Sequence, residues 1–250
     1  MLWWKNRTAH FSVDDTIWML ENLGHFSYRS AFEQPTLFFF QRLHEQYGLK
    51  VSFYCFGSFQ GLHLSEMTDT YRWELEKNND WLRFGFHADS DISQYNCIES
   101  DRAICEYAFV CKELMRIAGE QSLDTICRIH NYSGSKDVLY AVCKETSLEG
   151  VLCAIGKKKG YYLSSWQNAW VNWIGQYVDY QTGVRFLNTD IQIEKTSLSE
   201  CANFQSCTGR HIEAFTHEWA LNEETMHKIE SFCAALKHQG YSWEFPNRRR

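Results

Sequence analysis

Proline is nearly absent from this 250-residue chain, which holds only 2. No segment is rich enough in proline, glycine or serine to act as a linker, and no internal repeat is evident, so one domain over residues 1–250 is the simplest expectation. No run of about 18 apolar residues exists, which excludes a conventional membrane-spanning helix. The opening Met1-Leu2-Trp3-Trp4-Lys5-Asn6-Arg7 is too short and too soon charged for a secretory signal, so the expected compartment is the cytosol. Positive charge is also in short supply. With 25 Lys and Arg against 31 Asp and Glu, the net charge is -6, which argues against a general phosphate-backbone binder. The one basic cluster, Arg248-Arg249-Arg250, reads as part of a frayed tail over 246–250.

Two further absences narrow the chemistry. No pair among the 10 cysteines has C-x-x-C spacing, and the pairs Cys105/Cys111 and Cys201/Cys207 match no zinc or redox pattern. The cysteines are therefore expected to pack as reduced thiols, and a thiol redox protein is the weakest reading because no cysteine has an evident activating neighbour. No Walker-type loop occurs, and no glycine-rich turn follows the first apolar run, which disfavours a nucleotide site. What is present is an apolar fraction of 44% and an aromatic fraction of 16%, with 10 tryptophans. A chain of this length can bury roughly 70–75% of its unfolded surface without disulfide staples.

Short β-leaning runs alternate with helical patterns. The expected strands are His10–Val13, Val51–Phe56, Phe84–Phe86, Thr125–Ile129, Val151–Ala154, Val184–Leu187 and Ile212–Thr216. Helices are expected over Leu37–Tyr47, over Ser100–Ala118 with Ile104, Ala108, Cys111, Met115 and Ala118 on one stripe, from Ser135 to about Glu145, and from Asn222 onward. In the last of these, Met226, Ile229, Phe232 and Leu236 are expected to face inward. The tryptophan- and tyrosine-rich stretch 156–181 reads as a long, partly helical loop, and Lys157-Lys158-Lys159 as a solvated turn. Strand–helix alternation implies parallel βαβ units, and seven of them suit an α/β fold of the (β/α)7 barrel type, with a doubly wound sheet as the runner-up.

In such a barrel, functional residues sit at the C-terminal ends of strands. Asp14-Asp15, then His87 with Asp89 and Asp91, then His130, then His217 all follow expected strands. Adjacent carboxylates repel one another unless a cation sits nearby, so the Asp14-Asp15 pair makes most sense beside a metal; the alternative is an Asx turn. His87 and Asp91, four apart, would share a face of one helical turn and could share an ion; a helix N-cap is the alternative. Arg128 and His130 would point the same way along a strand, and an arginine there could hold a carboxylate. His217 could donate a proton. Trp166, Trp170, Trp173 and Trp219 could line a sugar cleft by face stacking, although core packing is the general expectation for tryptophan.

These residues together resemble the NodB-type polysaccharide deacetylases of carbohydrate esterase family 4. Ser12-Val13-Asp14-Asp15, following Phe11, is similar to that family's T-F-D-D-G motif, with Thr16 in place of glycine. His87 and Asp91 match the spacing of H-[ST]-x-x-H, with aspartate in place of the second histidine. Arg128 and Tyr132 fit R-x-x-x-Y, and Phe215-Thr216-His217 is similar to the late L-x-H motif, while the fourth motif has only Asp190 as a candidate. The resemblance implies a distorted (β/α) barrel of seven or eight strands. It makes Asp14 the general base, oriented by Arg128, and His217 the general acid. It makes Asp15, His87 and Asp91 the metal ligands, with His130 a rival for the third place. His130, Tyr132 and Trp219 become substrate contacts. The implied cofactor is a divalent metal, zinc first, with manganese, iron or cobalt as alternatives because an Asp-His-Asp set is harder than Asp-His-His. The implied reaction is removal of an acyl group from an N-acylated sugar or related amide. The rival reading is a barrel without catalysis that binds a carbohydrate. A small-molecule or oligosaccharide partner is expected in either case, with no nucleic acid and no membrane.

Overall fold

The computed structural model describes residues 7–156, 158, 160–205 and 211–246. The segment Met1–Asn6, Lys157, Lys159, Cys207 and the tail Arg248-Arg249-Arg250 lie outside the described residues. The strands are β1 (Thr8–Thr16), β2 (Val51–Phe59), β3 (Leu62–His63), β4 (Leu82–Ser90), β5 (Ile126–Cys127), β6 (Gly150–Leu152), β7 (Gln176–Val178), β8 (Arg185–Leu187), β9 (Ile191–Gln192), β10 (His211–His217) and β11 (Ser242–Trp243). The helices are α1 (Trp18–His25), α2 (Pro35–Tyr47), α3 (Arg72–Lys77), α4 (Ser100–Ala118), α5 (Lys136–Glu145), α6 (Ser165–Ile174), α7 (Leu198–Ala202) and α8 (Glu223–His238).

Parallel pairing runs β4-β2-β1-β10-β9 in one sheet and β5-β6-β8 in another. Two joints link the sheets. Phe84 bridges Leu123 in parallel just before β5, and the stretch 185–192 pairs with β6 through its first half and with β10 through its second. The result is a distorted (β/α)7 barrel, in accord with the expectation from strand–helix alternation. All seven expected strands are present. β3 and β7 are antiparallel additions at the edges, paired with β2 and β8. No helix among the described residues is long and apolar enough to cross a membrane.

The core follows from the alternation of each strand. In β1, Ala9, Phe11 and Val13 are buried apolar side chains, while His10, Ser12 and Asp14 are buried polar ones. A polar file of this kind inside a barrel is tolerated only if it is internally bonded. His10 Nδ1 lies 2.9 Å from Glu213 and its Nε2 lies 2.9 Å from Ser52 Oγ, which in turn donates to Asp124 at 2.5 Å.

Some helical details differ from expectation. The buried apolar face of α4 is Ala103, Tyr107, Val110, Cys111, Leu114, Ile117 and Ala118, so Cys111 and Ala118 are buried as expected, whereas Ile104 and Met115 are half-buried and Ala108 is exposed because Tyr107 and Leu114 bring more apolar surface to the core. In α8, Ile229, Phe232 and Leu236 are buried as expected, whereas Met226 is only partly covered. The partly helical character expected within 156–181 is borne out by α6, which a reciprocal capping box of Ser164 and Gln167 starts. Of the described cysteines, Cys55, Cys111, Cys127, Cys153, Cys201 and Cys233 are buried, but Cys97 and Cys105 are exposed rather than in the core.

Candidate active site

Two irregularities at the ends of central strands build the site. In β1, pairing with β2 shifts register between Val13 and Thr16, and Asp15 adopts a left-handed φ of 58°. A bulge of this kind re-aims side chains. It lets the consecutive carboxylates Asp14 and Asp15 both serve the rim, Asp14 deep and Asp15 at its edge. In β4, Phe86 pairs with Cys55 and Ala88 with Phe56, which leaves His87 as the extra residue opposite β2.

His87 is buried, and its Nδ1 lies 2.5 Å from the carbonyl oxygen of Arg128. A carbonyl only accepts, so Nδ1 carries the proton and donates it. In the neutral ring Nε2 is then a lone pair, and it faces Asp15 Oδ1 at 3.0 Å. Two acceptors that close require a proton or a cation between them. Adjacent ligands on one ion with bonds near 2.1 Å are about 2.9–3.4 Å apart, so the pair also suits a shared metal. Burial pushes the Asp15 carboxyl up, but hydrogen bonding and charge from His87 outweigh it and hold the group down at about 2.

His130 completes a triad in which the donor atoms of Asp15, His87 and His130 all lie within 4.8 Å of one another. It occupies a tight turn after β5, followed by Asn131 and Tyr132 with left-handed φ of 56° and 53°. Its ring packs edge-on against Phe56 and His87. Burial, then the charge of His87, lowers its pKa to about 4, so the ring is neutral at pH 7 and free to coordinate. Asp91 lies outside this triad. β4 continues as a strand through Ser90, so His87 and Asp91 share no helical turn, and Asp91 is exposed beyond the strand end. Likewise β5 stops at Cys127, so Arg128 and His130 are not placed by strand alternation.

Beside the triad, Asp14 is fully buried and held by Arg128, whose Nη1 donates to both carboxylate oxygens at 3.3 and 3.2 Å and to Ser12 Oγ at 3.1 Å. Arg128 Nη2 donates to Thr189 at 3.2 Å, and the guanidinium lies 4.0 Å over the Phe215 ring. Burial raises the Asp14 pKa above the usual carboxylate value in spite of Arg128.

Across the rim, His217 pairs with Asp14 in the β1–β10 register. Its Nδ1 lies 2.6 Å from Glu194 Oε1, and Thr216 Oγ1 donates to the other Glu194 oxygen at 3.0 Å. Burial works most strongly against protonation of His217, but the Glu194 hydrogen bond and the negative charges of Asp14, Asp15 and Glu194 together outweigh it and the pKa is raised. Glu194 was not singled out in the sequence. Asp190, the fourth-motif candidate, instead accepts from the backbone of Glu213 and from Asn188. Trp219 is 59% exposed, stacks on His217 at 5.0 Å and donates its indole N–H to Asp15 Oδ2 at 2.8 Å. Between these two residues, Glu218 accepts from the backbone N–H groups of Ile17, Trp18 and Met19, tying the His217 loop to the start of α1. Tyr132 is partly buried and carries Lys158 5.1 Å from its ring centre.

No protein-family model matches the chain, and no curated protein does. Solved structures do match. A CE4 esterase from Streptococcus mutans superposes with a TM-score of 0.53 at 12% identity, covering 95% of this chain and 85% of its own. The chitin deacetylase from the fungal pathogen Colletotrichum lindemuthianum gives a TM-score of 0.53 at 14% identity, covering 96% and 86%. At these identities the likeness establishes the fold, a NodB-type deacetylase barrel.

Proposed function

We propose, from a chain folded as a NodB-type deacetylase barrel, that this protein is a metal-dependent hydrolase. It removes an acetyl or related acyl group from an N-acylated sugar or similar amide. The observation that carries the reading is the convergence of three kinds of group at one rim: a donor triad, a buried Asp–Arg pair and a His–Glu pair. Asp15, His87 and His130 would hold the ion. The set is borderline rather than hard, which favours zinc, cobalt or iron over magnesium or calcium. When bound, the ion supplies Lewis acidity for the acyl oxygen and makes water easier to deprotonate.

The chain's own residues do the rest. Asp14, with its proton affinity raised by burial, takes the proton from the attacking water. Arg128 holds that carboxylate in place through two hydrogen bonds. His217, with Nδ1 committed to Glu194, has Nε2 left to protonate the leaving amine as the C–N bond breaks. The products are a carboxylate and a free amine. Trp219, fixed by His217 and Asp15, offers a ring face for a sugar. Tyr132, in the same turn as His130, would be a further substrate contact.

The presence of both proton-transfer pairs favours an enzyme over a binding barrel. The test is a deacetylation assay on N-acetylated sugars after chelation and after re-addition of single metals. Turnover that is lost with chelator and restored by one metal supports the reading. Turnover indifferent to chelator, or none with any metal, counts against it.

A further inference from the structure

The stretch 160–183 carries features that the proposed chemistry does not use. Trp166, Trp170 and Trp173 are exposed, the first and last by 66% and 70%. At 100° per residue they fall within an arc of about 60° on α6. Trp166 stacks on Trp170 with centroids 5.6 Å apart, and Trp170 meets Trp173 edge-on at 5.7 Å. The expectation of core packing for tryptophan fails here, since Asn168 and Val171 form the buried side of the helix. Three exposed tryptophans in mutual ring contact form a candidate binding surface.

A pocket of about 400 Å³ adjoins this face through Gln167, the neighbour of Trp166. Tyr162, Tyr177 and the 95%-exposed Tyr180 give it ring surface. Its polar groups are already fixed. Tyr162 donates to Asp179 at 2.7 Å, Gln167 donates to the Tyr177 hydroxyl at 2.9 Å, and Lys136 donates to Gln181. One carboxylate and one ammonium balance, so the pocket has no strong preference for charge. The α6 sequence Ser165–Ile174 contains no ionisable residue, and Lys158, whose carbonyl meets Asn168 on the buried side of the helix, sets its ammonium 5.1 Å from the Tyr132 ring, so the tryptophan face itself carries no cation of the kind that nucleic acid or an anionic membrane would use. Rings with C–H faces and several neutral hydroxyls fit both halves of this surface. The pocket is also tied through the backbone to the loop that bears His130 and Tyr132. Lys136 begins the helix after the loop bearing His130 and Tyr132, and Tyr161, next to Tyr162, donates its backbone N–H to the Tyr132 carbonyl at 2.6 Å.

We propose that this pocket and the tryptophan face of α6 form a subsite for a neutral oligosaccharide that extends away from the hydrolysed unit. The choice of an N-acetylated sugar as its ligand rests on the function proposed above. The test uses the full chain carrying Asp14→Asn, so that substrate is bound and not consumed. N-acetylglucosamine and its β-1,4 oligomers of increasing length are titrated, followed by tryptophan fluorescence. Affinity should rise at least about tenfold from the monomer to long oligomers, and Tyr180→Ala or Trp166→Ala should each remove about three- to tenfold of that gain. Both side chains are on the surface, so unchanged melting temperatures will show that the fold is intact. Length-independent binding, or variants that bind as well as their parent, would overturn the proposal. So would capture of phosphatidylcholine vesicles by the parent with release by the variants, which assigns the face to a membrane. Turnover of a short substrate by the unsubstituted chain, measured in parallel, separates the two readings. An inactive protein with variant-sensitive oligomer binding removes the hydrolase and keeps the subsite, and an active one with length-independent binding does the reverse.

Discussion

His87 and Arg128 are locked together: the imidazole donates Nδ1–H to the arginine's backbone carbonyl at 2.5 Å, while the same arginine's side chain grips Asp14. One residue therefore sets the tautomer of a metal-ligand candidate and the position of the proposed base beside it. Hydrogen bonds of this kind behind a ligating histidine fix ring orientation and basicity.

The first prediction concerns that arginine. Arg128→Met leaves Asp14 buried without its cation, while Glu213 keeps His10, and breaking a buried ion pair from one side costs about 3–5 kcal/mol. Urea unfolding of the variant should show a loss of that order. A loss below about 1 kcal/mol would mean that Asp14 is protonated and needs no partner.

Metal affinity discriminates between the two candidates for the third ligand. His130→Ala should lower zinc affinity by at least about 10–100-fold, whereas Asp91→Ala should leave it within a few-fold of the unsubstituted chain. Competition with a chelating dye measures both. The reverse order would reinstate Asp91.

Glu194 should control the alkaline side of the pH profile. His217 must be protonated to act as the acid, so activity is present below its raised pKa and is lost as pH rises through it. In Glu194→Gln the charge of Glu194 is lost and its hydrogen bond weakened, while burial still opposes protonation and only Asp14 and Asp15 still favour it, so the alkaline limb should move to lower pH. A limb that stays in place would assign the proton to another group.

How much of this could be read from the sequence depended on how local each cause is. β1 was legible because His10–Val13 alternates and stops at two aspartates, and the last helix because Ile229, Phe232 and Leu236 recur with its period. The outlines of Asp14, Asp15, His87, Arg128 and His217 at strand ends came from the same reasoning. Asp91 looked better placed than His130 because four-residue spacing suggests a helical turn, and nothing in the local sequence announces that β4 runs on to Ser90. Glu194 was invisible for a different reason. It meets His217 only because β9 pairs with β10, Gln192 opposite Phe215, a long-range pairing that no motif encodes. The α6 helix did carry a local signal in Ser164-Ser165-Trp166-Gln167, a capping box hidden among aromatic residues.

Base and ligand should also separate by mutation. Asp14→Asn is expected to keep its metal and lose about 10²–10⁴-fold in turnover. Equal loss of metal and turnover in that variant would make Asp14 a ligand instead.

The most direct measurement is elemental analysis of the purified chain beside its Asp15→Ala variant, both reconstituted with zinc and desalted. The account predicts close to one zinc per chain in the first and little in the second. Zinc retained equally by both, or by neither, would mean that Asp15, His87 and His130 meet as an ordinary ion pair with a neighbouring imidazole and not as a metal centre.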